Sequence, residues 1–258
     1  MALLLESRTG PALVLTIDNE HQHNVLSREL VKELKTQAEF VAKDSTIRAV
    51  IITGKGTRAF CAGANLKERT GWTDHDVRSW LVELHDGLRA IEKCEKPWIA
   101  AVNGLALGGG CELALACDLR VMDSAAEIGL TETKIGVIPG GGGCVRLARV
   151  IGMGRARDLI LTARRVPAQE AYLMGLASRV SDPGRSLEMA LHLAEQIAGN
   201  APVAIAAAKN AIEEAWDLEL AEGLEKEREW YEQPLKSEDR LEGLKAFAER
   251  RAPVWQGK

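Results

Sequence analysis

Between residues 107 and 118 the chain reads LGGGCELALACD, three consecutive glycines running into an apolar stretch that holds one carboxylate, Glu112. Glycine has no Cβ, so a run such as Gly108-Gly109-Gly110 lets the backbone come close to a ligand. If that run opens a helix, its free N–H groups and the positive end of the helix dipole face whatever lies there. Such donors suit a carbonyl oxygen that gains negative charge, the essence of an oxyanion hole. A second donor has to come from elsewhere, and FCAGANLKER (60–69) offers another small-residue turn directly after a strand-like run. The same glycines also suit tight helix–strand packing, and spacing alone leaves both uses open.

Glu112 stands among Leu and Ala, where desolvation raises a carboxyl pKa and makes the group a usable proton donor or acceptor near neutrality. Twenty residues on, in IGLTETKIGVIPGGGG, Glu132 sits in a turn-like stretch between two apolar runs. Two carboxylates beside an oxyanion hole suit acid/base work on a substrate with an acidic α-proton, one handling water and the other a carbon-bound proton. A satisfied buried glutamate or an exposed helix position would account for Glu112 equally well on sequence grounds.

Other chemistries fit less well. IPGGGGCVRL (138–147) lacks the Lys-Ser/Thr of a phosphate-binding loop, and IGMGRARD (151–158) has Arg157 where the dinucleotide fingerprint needs its third glycine. The five cysteines, Cys61, Cys94, Cys111, Cys117 and Cys144, are odd in number with no C-x-x-C, so they read as reduced apolar fillers and not as a disulfide framework or metal site. The histidines (His21, His23, His75, His85, His192) lie in polar or amphipathic settings and are expected away from these motifs.

The elements that must position these residues form an α/β pattern. PALVLTID (11–18), RAVIITG (48–54), PWIAAVNG (97–104) and DLRVMD (118–123) are short apolar runs bounded by turn formers. Between them SRELVKELKTQAEFVAK reads as a helix capped by Ser27. In DVRSWLVELHDGLRAIEKC, Val77, Leu81, Leu84, Leu88 and Ile91 line one helical face. Strands alternating with helices imply parallel pairing. After about residue 185 the strand signal stops, and Ala, Leu, Glu and Lys predict helices, the last capped by Ser237. The chain therefore divides into a catalytic core (1–185) and a helical region (186–258) that must cover its apolar faces against the core or another subunit.

The bulk numbers agree with an ordinary globular chain: 258 residues, 46% hydrophobic and 27% charged. A formal charge of −4 gives no electrostatic footprint for nucleic acid. No run approaches the roughly 18 apolar residues of a membrane span, and the start lacks a secretory signal. The expected location is the cytoplasm, or the mitochondrial matrix if a transit peptide preceded residue 1.

FCAGANLKER, AVNGLALGGGCELALACDLRV, ETKIGVIPGGGG and the closing DRLEGLKAFAERRAPVWQGK, in this order and spanning nearly the whole chain, resemble the enoyl-CoA hydratase/isomerase (crotonase) family. The resemblance implies a spiral of ββα units followed by a helical trimerisation region, assembled as a homotrimer or a dimer of trimers. It makes the backbone N–H groups of Ala64 and Gly109 the oxyanion hole for an acyl-CoA thioester. Glu112 and Glu132 become the acid/base pair, and Gly140 holds the attacking water. Ala64, Asn65, Leu66 and Lys67 border the CoA moiety, and no cofactor is implied beyond the CoA carried by the substrate. The implied reaction is addition of water across the 2,3 double bond of an enoyl-CoA thioester.

Two stretches depart from the family pattern: Asn65 replaces a common Asp, and CVRL (144–147) replaces the commoner TQRL. LKER and the C-terminal motif look most similar to the methylglutaconyl-CoA hydratase branch of leucine degradation, whose substrate has a distal carboxylate that needs a cation. That branch also includes AU-rich RNA binders. Against such a role, the 27–43 helix sets Arg28, Lys32, Lys35 and Lys43 against Glu29, Glu33 and Glu39, a nearly balanced solvated face.

Overall fold

A computed structural model describes residues 3–258. The chain opens with an antiparallel hairpin of β1 (Leu4–Thr9) and β2 (Ala12–Ile17), followed by α1 (Arg28–Lys43). Two ββα units come next: β3 (Ala49–Gly54), β4 (Ala59–Cys61) and α2 (Asp74–Glu92), then β5 (Trp98–Val102), β6 (Leu105–Leu107) and α3 (Gly109–Ala116). A third pair, β7 (Leu119–Asp123) and β8 (Glu127–Gly129), leads through a 3₁₀ turn (Glu132–Ile135) into α4 (Gly143–Ile151) and α5 (Met153–Thr162). Then come β9 (Val166–Pro167), α6 (Ala168–Leu173), β10 (Arg179–Ser181) and four helices, α7 (Ser186–Ala198), α8 (Pro202–Ala215), α9 (Leu220–Lys236) and α10 (Glu238–Glu249).

Each ββ pair gives its first strand to one sheet and its second to another. The six-stranded sheet runs β1-β2-β3-β5-β7-β10, parallel after the hairpin, and the four-stranded sheet runs β4-β6-β8-β9. This is the expected spiral of ββα units. The four runs read from the sequence are the central strands of the large sheet. β3 and β5 are buried along their whole length, which is why they read as unbroken apolar runs without alternation.

α7 lies across one face of the large sheet, with Ala190 and Ala194 packed among Val14, Ile51, Ile99 and Val121. The first helix after residue 185 is thus a layer of the core, and α8, α9 and α10 follow outside it. The opposite face packs on α1, α2 and α3. Ser27 caps α1 by accepting from the Leu30 N–H at 3.1 Å, and Ser237 caps α10 by accepting from Arg240 at 3.2 Å. α2 has a full capping box of Thr73 and Asp76.

The buried face of α2 is Trp80, Leu84, Gly87, Leu88 and Ile91. Val77 and Leu81, expected there from their spacing, are half-buried. Leu81 leans instead on Gly140, where an added Cβ would lie 2.6 Å from its Cδ2. On α1, Arg28 and Lys35 are drawn into ion pairs with Glu83 and Asp86 of α2, each at 3.3 Å. These two basic groups serve helix–helix contact. All five cysteines are free thiols, and all but Cys144 are buried. Among the described residues no helix is long and apolar enough to cross a membrane.

Candidate active site

The glycine run does open a helix. Gly108 takes φ +52° and ψ −121° at the N-cap of α3, a conformation open to glycine and strained for other residues. Its N–H donates to Gly129 O of β8 at 2.9 Å, tying the mouth of α3 to the small sheet. At Gly109 the reason for glycine is approach: an added Cβ would meet Leu26 Cδ1 at 3.1 Å and the Ala64 amide nitrogen at 3.4 Å. The turns at 64 and 109, some 45 residues apart in the chain, are therefore in contact.

Ala64 forms a parallel bridge with Leu26, in which Leu26 N donates to Gly63 O and Asn65 N to Leu26 O, both at 2.8 Å. In such pairing the central residue's own N–H points to the other side, and that side is Gly109. Among the described residues, neither the Ala64 N–H nor the Gly109 N–H donates to a protein acceptor. Two adjacent, unspent amide donors, one of them at a helix N-terminus, can bind an oxyanion.

Glu112 lies one turn into α3 and is only 2% exposed. Its Oε1 accepts from the amides of Gly141 and Gly143 at 2.7 and 2.9 Å. Burial pushes its carboxyl above the usual range, while these two hydrogen bonds and the charges of Arg146 and His85 hold it down. Glu132, first residue of the 3₁₀ turn, reaches back over Gly108: a Cβ there would lie 3.1 Å from its Oε1. Its Oε2 is buried with no hydrogen-bond partner. Desolvation raises the Glu132 pKa to about 7, and the Glu112 charge adds to the shift. The two carboxyls thus differ in support: one is fixed by two amides, the other is poised between protonation states at neutral pH.

Gly140 borders Glu112 through its neighbour Gly141. The Gly140 N–H donates to no protein acceptor among the described residues, but its carbonyl lies 2.5 Å from His85 Nε2. This corrects the sequence reading that set all histidines apart from the motifs. His85 sits one position beyond the buried Leu84 on α2, and nothing in the sequence tells that α2 lies over the 140–143 turn. Asn65 is half-buried, and its carboxamide accepts from Glu68 N at 3.4 Å; Leu66 and Lys67 are exposed.

Arg69 was not singled out by the sequence. Its guanidinium lies over the rings of Trp72 and Trp80, 5.7 and 5.9 Å from their centroids. Burial lowers its pKa, opposed by the charge of Glu112. Among the described residues no carboxylate lies within ion-pair distance of it, and its Nε is buried without a partner. The aromatic residues at 72 and 80 were a possible signal, visible only with the fold in hand.

A spiral of ββα units thus brings two free amides and two carboxyls together in one place. The enoyl-CoA hydratase/isomerase family matches residues 9–258. The chain is 41% identical to human mitochondrial methylglutaconyl-CoA hydratase, over 98% of this chain and 76% of that protein. It is 37% identical to the short-chain-enoyl-CoA hydratase of Clostridium acetobutylicum, over 95% of this chain and 94% of that one. A crystal structure of enoyl-CoA hydratase from Bacillus anthracis superposes with a TM-score of 0.97 at 42% identity, covering all of both chains. The chain belongs to the enoyl-CoA hydratase/isomerase family.

Proposed function

We propose that the protein hydrates 2-enoyl-CoA thioesters, and that its preferred acyl group is short, branched and ends in a second carboxylate. The observation that carries the reaction is the meeting of the free Ala64 and Gly109 amides with Glu112 and Glu132. The thioester oxygen sits between the two amides. Glu132, against Gly108, faces the α-carbon one bond away from that carbonyl, and gives it a proton. Glu112, with one oxygen held by Gly141 and Gly143, uses the other to take a proton from water beside Gly140. The water oxygen bonds to Cβ, the 2,3 π pair moves toward the thioester, and the oxyanion collapses as Cα is protonated. Passage of a proton from Glu112 to Glu132 resets the pair. The atoms balance with water and thioester alone, so no cofactor enters beyond CoA, whose chain runs along Ala64, Asn65, Leu66 and Lys67.

The acyl preference rests on Arg69. A guanidinium without a carboxylate partner, held on two tryptophans beside the Glu112 pocket, suits a substrate carboxylate. The relatives named methylglutaconyl-CoA hydratase favour the same reading, which would give the protein a place in leucine degradation. A steady-state comparison of short, medium, branched and carboxylated enoyl-CoA substrates, following loss of the conjugated thioester absorbance, tests both parts. In Arg69→Met, kcat/KM should fall about 10- to 100-fold for a carboxylated substrate, the worth of one charge-assisted hydrogen bond, and change little for crotonyl-CoA. Equal losses on both substrates would remove Arg69 from carboxylate recognition.

The unpartnered apolar surface of α8, α9 and α10 supports self-association: Ile212, Trp216, Leu220, Tyr231 and Phe247 are all exposed in the single chain. The expected assembly is a trimer or a dimer of trimers. Light scattering on a sizing column should give three or six times the chain mass, and a monomer at micromolar concentration would contradict it.

A further inference from the structure

The motif CVRL carries a largely buried arginine that ties two elements of the site together. Arg146, on the first turn of α4, donates through Nη1 to Gly141 O at 2.6 Å. Its Nε and Nη2 donate to Oε1 and Oε2 of Glu92 at 2.9 and 2.8 Å, a two-point ion pair in which the guanidinium is largely buried. Glu92 is the last residue of α2, the helix whose Leu81, Leu84 and His85 already border the glycine turn. The turn itself has little of its own to hold it. Gly142 is left-handed at φ +93°, and its glycines impose no side-chain packing.

We infer that Arg146, locked by Glu92, is the positioning residue that shapes the 140–143 turn so that the Gly141 and Gly143 amides converge on Glu112. The geometry is two-sided. On the inner side of the turn two N–H groups point at one carboxylate oxygen; on the outer side the Gly141 carbonyl points away and is taken by Arg146, while the Gly142 carbonyl accepts from the Arg146 backbone N–H at 2.9 Å. Without the outer contact, the flexible glycines lose the conformation that aims both amides inward. A carboxylate deprived of those donors becomes harder to ionise.

The charge of Arg146 acts in the same sense, since it helps hold Glu112 ionised. The other groups facing Glu112 are His85 from α2, Arg69 from the 64–72 loop, Glu132 from the 3₁₀ turn, and the thiols of Cys111 and Cys144. None of these touches the Gly141 carbonyl. Arg146 itself does not reach the reacting atoms and acts through the turn.

This inference rests on Glu112 being the base for water. The test measures kcat, KM and the pH profile of crotonyl-CoA hydration in Arg146→Met, Arg146→Lys, Glu92→Gln and Glu112→Gln. In Arg146→Met kcat should drop about 10- to 100-fold, the scale of a small misplacement of a reacting group, with KM within about twofold. Its acid limb should move to higher pH by about one unit. Arg146→Lys, which keeps a charge and one donor for the carbonyl, should recover much of the rate. Glu92→Gln should shift the limb in the same direction by less. If Arg146→Met does not fold, the other two variants carry the test. An acid limb and kcat equal to wild type in whichever variants fold, while Glu112→Gln is inactive, overturns the inference and leaves the hydratase reading standing. Full activity in Glu112→Gln overturns the reading on which it rests.

Discussion

Glu112→Gln should lose crotonyl-CoA hydration by about 100- to 10,000-fold in kcat, the range of a general base removed from its transition state, while acyl-CoA binding stays near normal. The contrast follows from the partners of the side chain. The Glu112 oxygen that accepts from Gly141 and Gly143 has an equivalent in the glutamine carbonyl, so the turn keeps its donors satisfied and the fold pays no penalty for an orphaned amide. Only the ionisable oxygen facing the water is replaced. In the proposed reading binding rests on Ala64, Gly109 and the loop to Lys67, none of which is the ionisable oxygen of Glu112. Stopped-flow hydration, together with calorimetric binding of a non-reactive acyl-CoA, separates the two quantities. Near-normal turnover would remove Glu112 from the chemistry.

Glu132→Gln should be comparably damaged, and it should also change the shape of the pH profile. Burial and the neighbouring Glu112 raise the Glu132 pKa to about 7, so near neutrality it is divided between carboxylic acid and carboxylate. Hydration needs it protonated to supply Cα. The sign follows: Glu132 carries its proton below its pKa and loses it above, so the wild-type rate falls as the pH rises through about 7, while the opposite, acid limb belongs to Glu112. Glutamine does not titrate, so the residual activity of the variant should lack this basic limb. A limb near 7 that persists in Glu132→Gln would assign it to another group. The unpartnered Oε2 explains why stability should change little: the mutation breaks no protein hydrogen bond at that atom.

Much of this architecture was legible from the chain. The four buried strands of the large sheet were visible because burial on both faces makes a continuous apolar run, and α1, α2 and α10 because their caps and spacings are local. The second sheet was hidden. β4, β6 and β8 are three residues each, too short to show a period, and Leu105–Leu107 merges with the apolar start of α3. β1 was hidden for the opposite reason: it is an edge strand exposed along most of its length and has no apolar face to read.

At the site, Glu112 announced itself by being a charge among apolar neighbours, and Glu132 by sitting in a turn-like stretch between two apolar runs. Ala64, Gly109 and Gly140 came from resemblance, since a backbone donor has no side-chain signature. His85, Arg69 and Arg146 escaped because each matters through a contact made across the fold: with Gly140, with Trp72 and Trp80, and with Gly141 and Glu92. Their sequence context is that of ordinary polar helix or loop positions.

The most direct test of the central claim is a crystal structure of Glu132→Gln soaked with crotonyl-CoA, slow enough to retain the unreacted thioester. The thioester oxygen should lie about 3 Å from both the Ala64 and Gly109 amide nitrogens, with Cβ on the Glu112 side and Cα toward position 132. A carbonyl bound away from those amides, or an acyl chain running along another wall of the fold, would contradict the account.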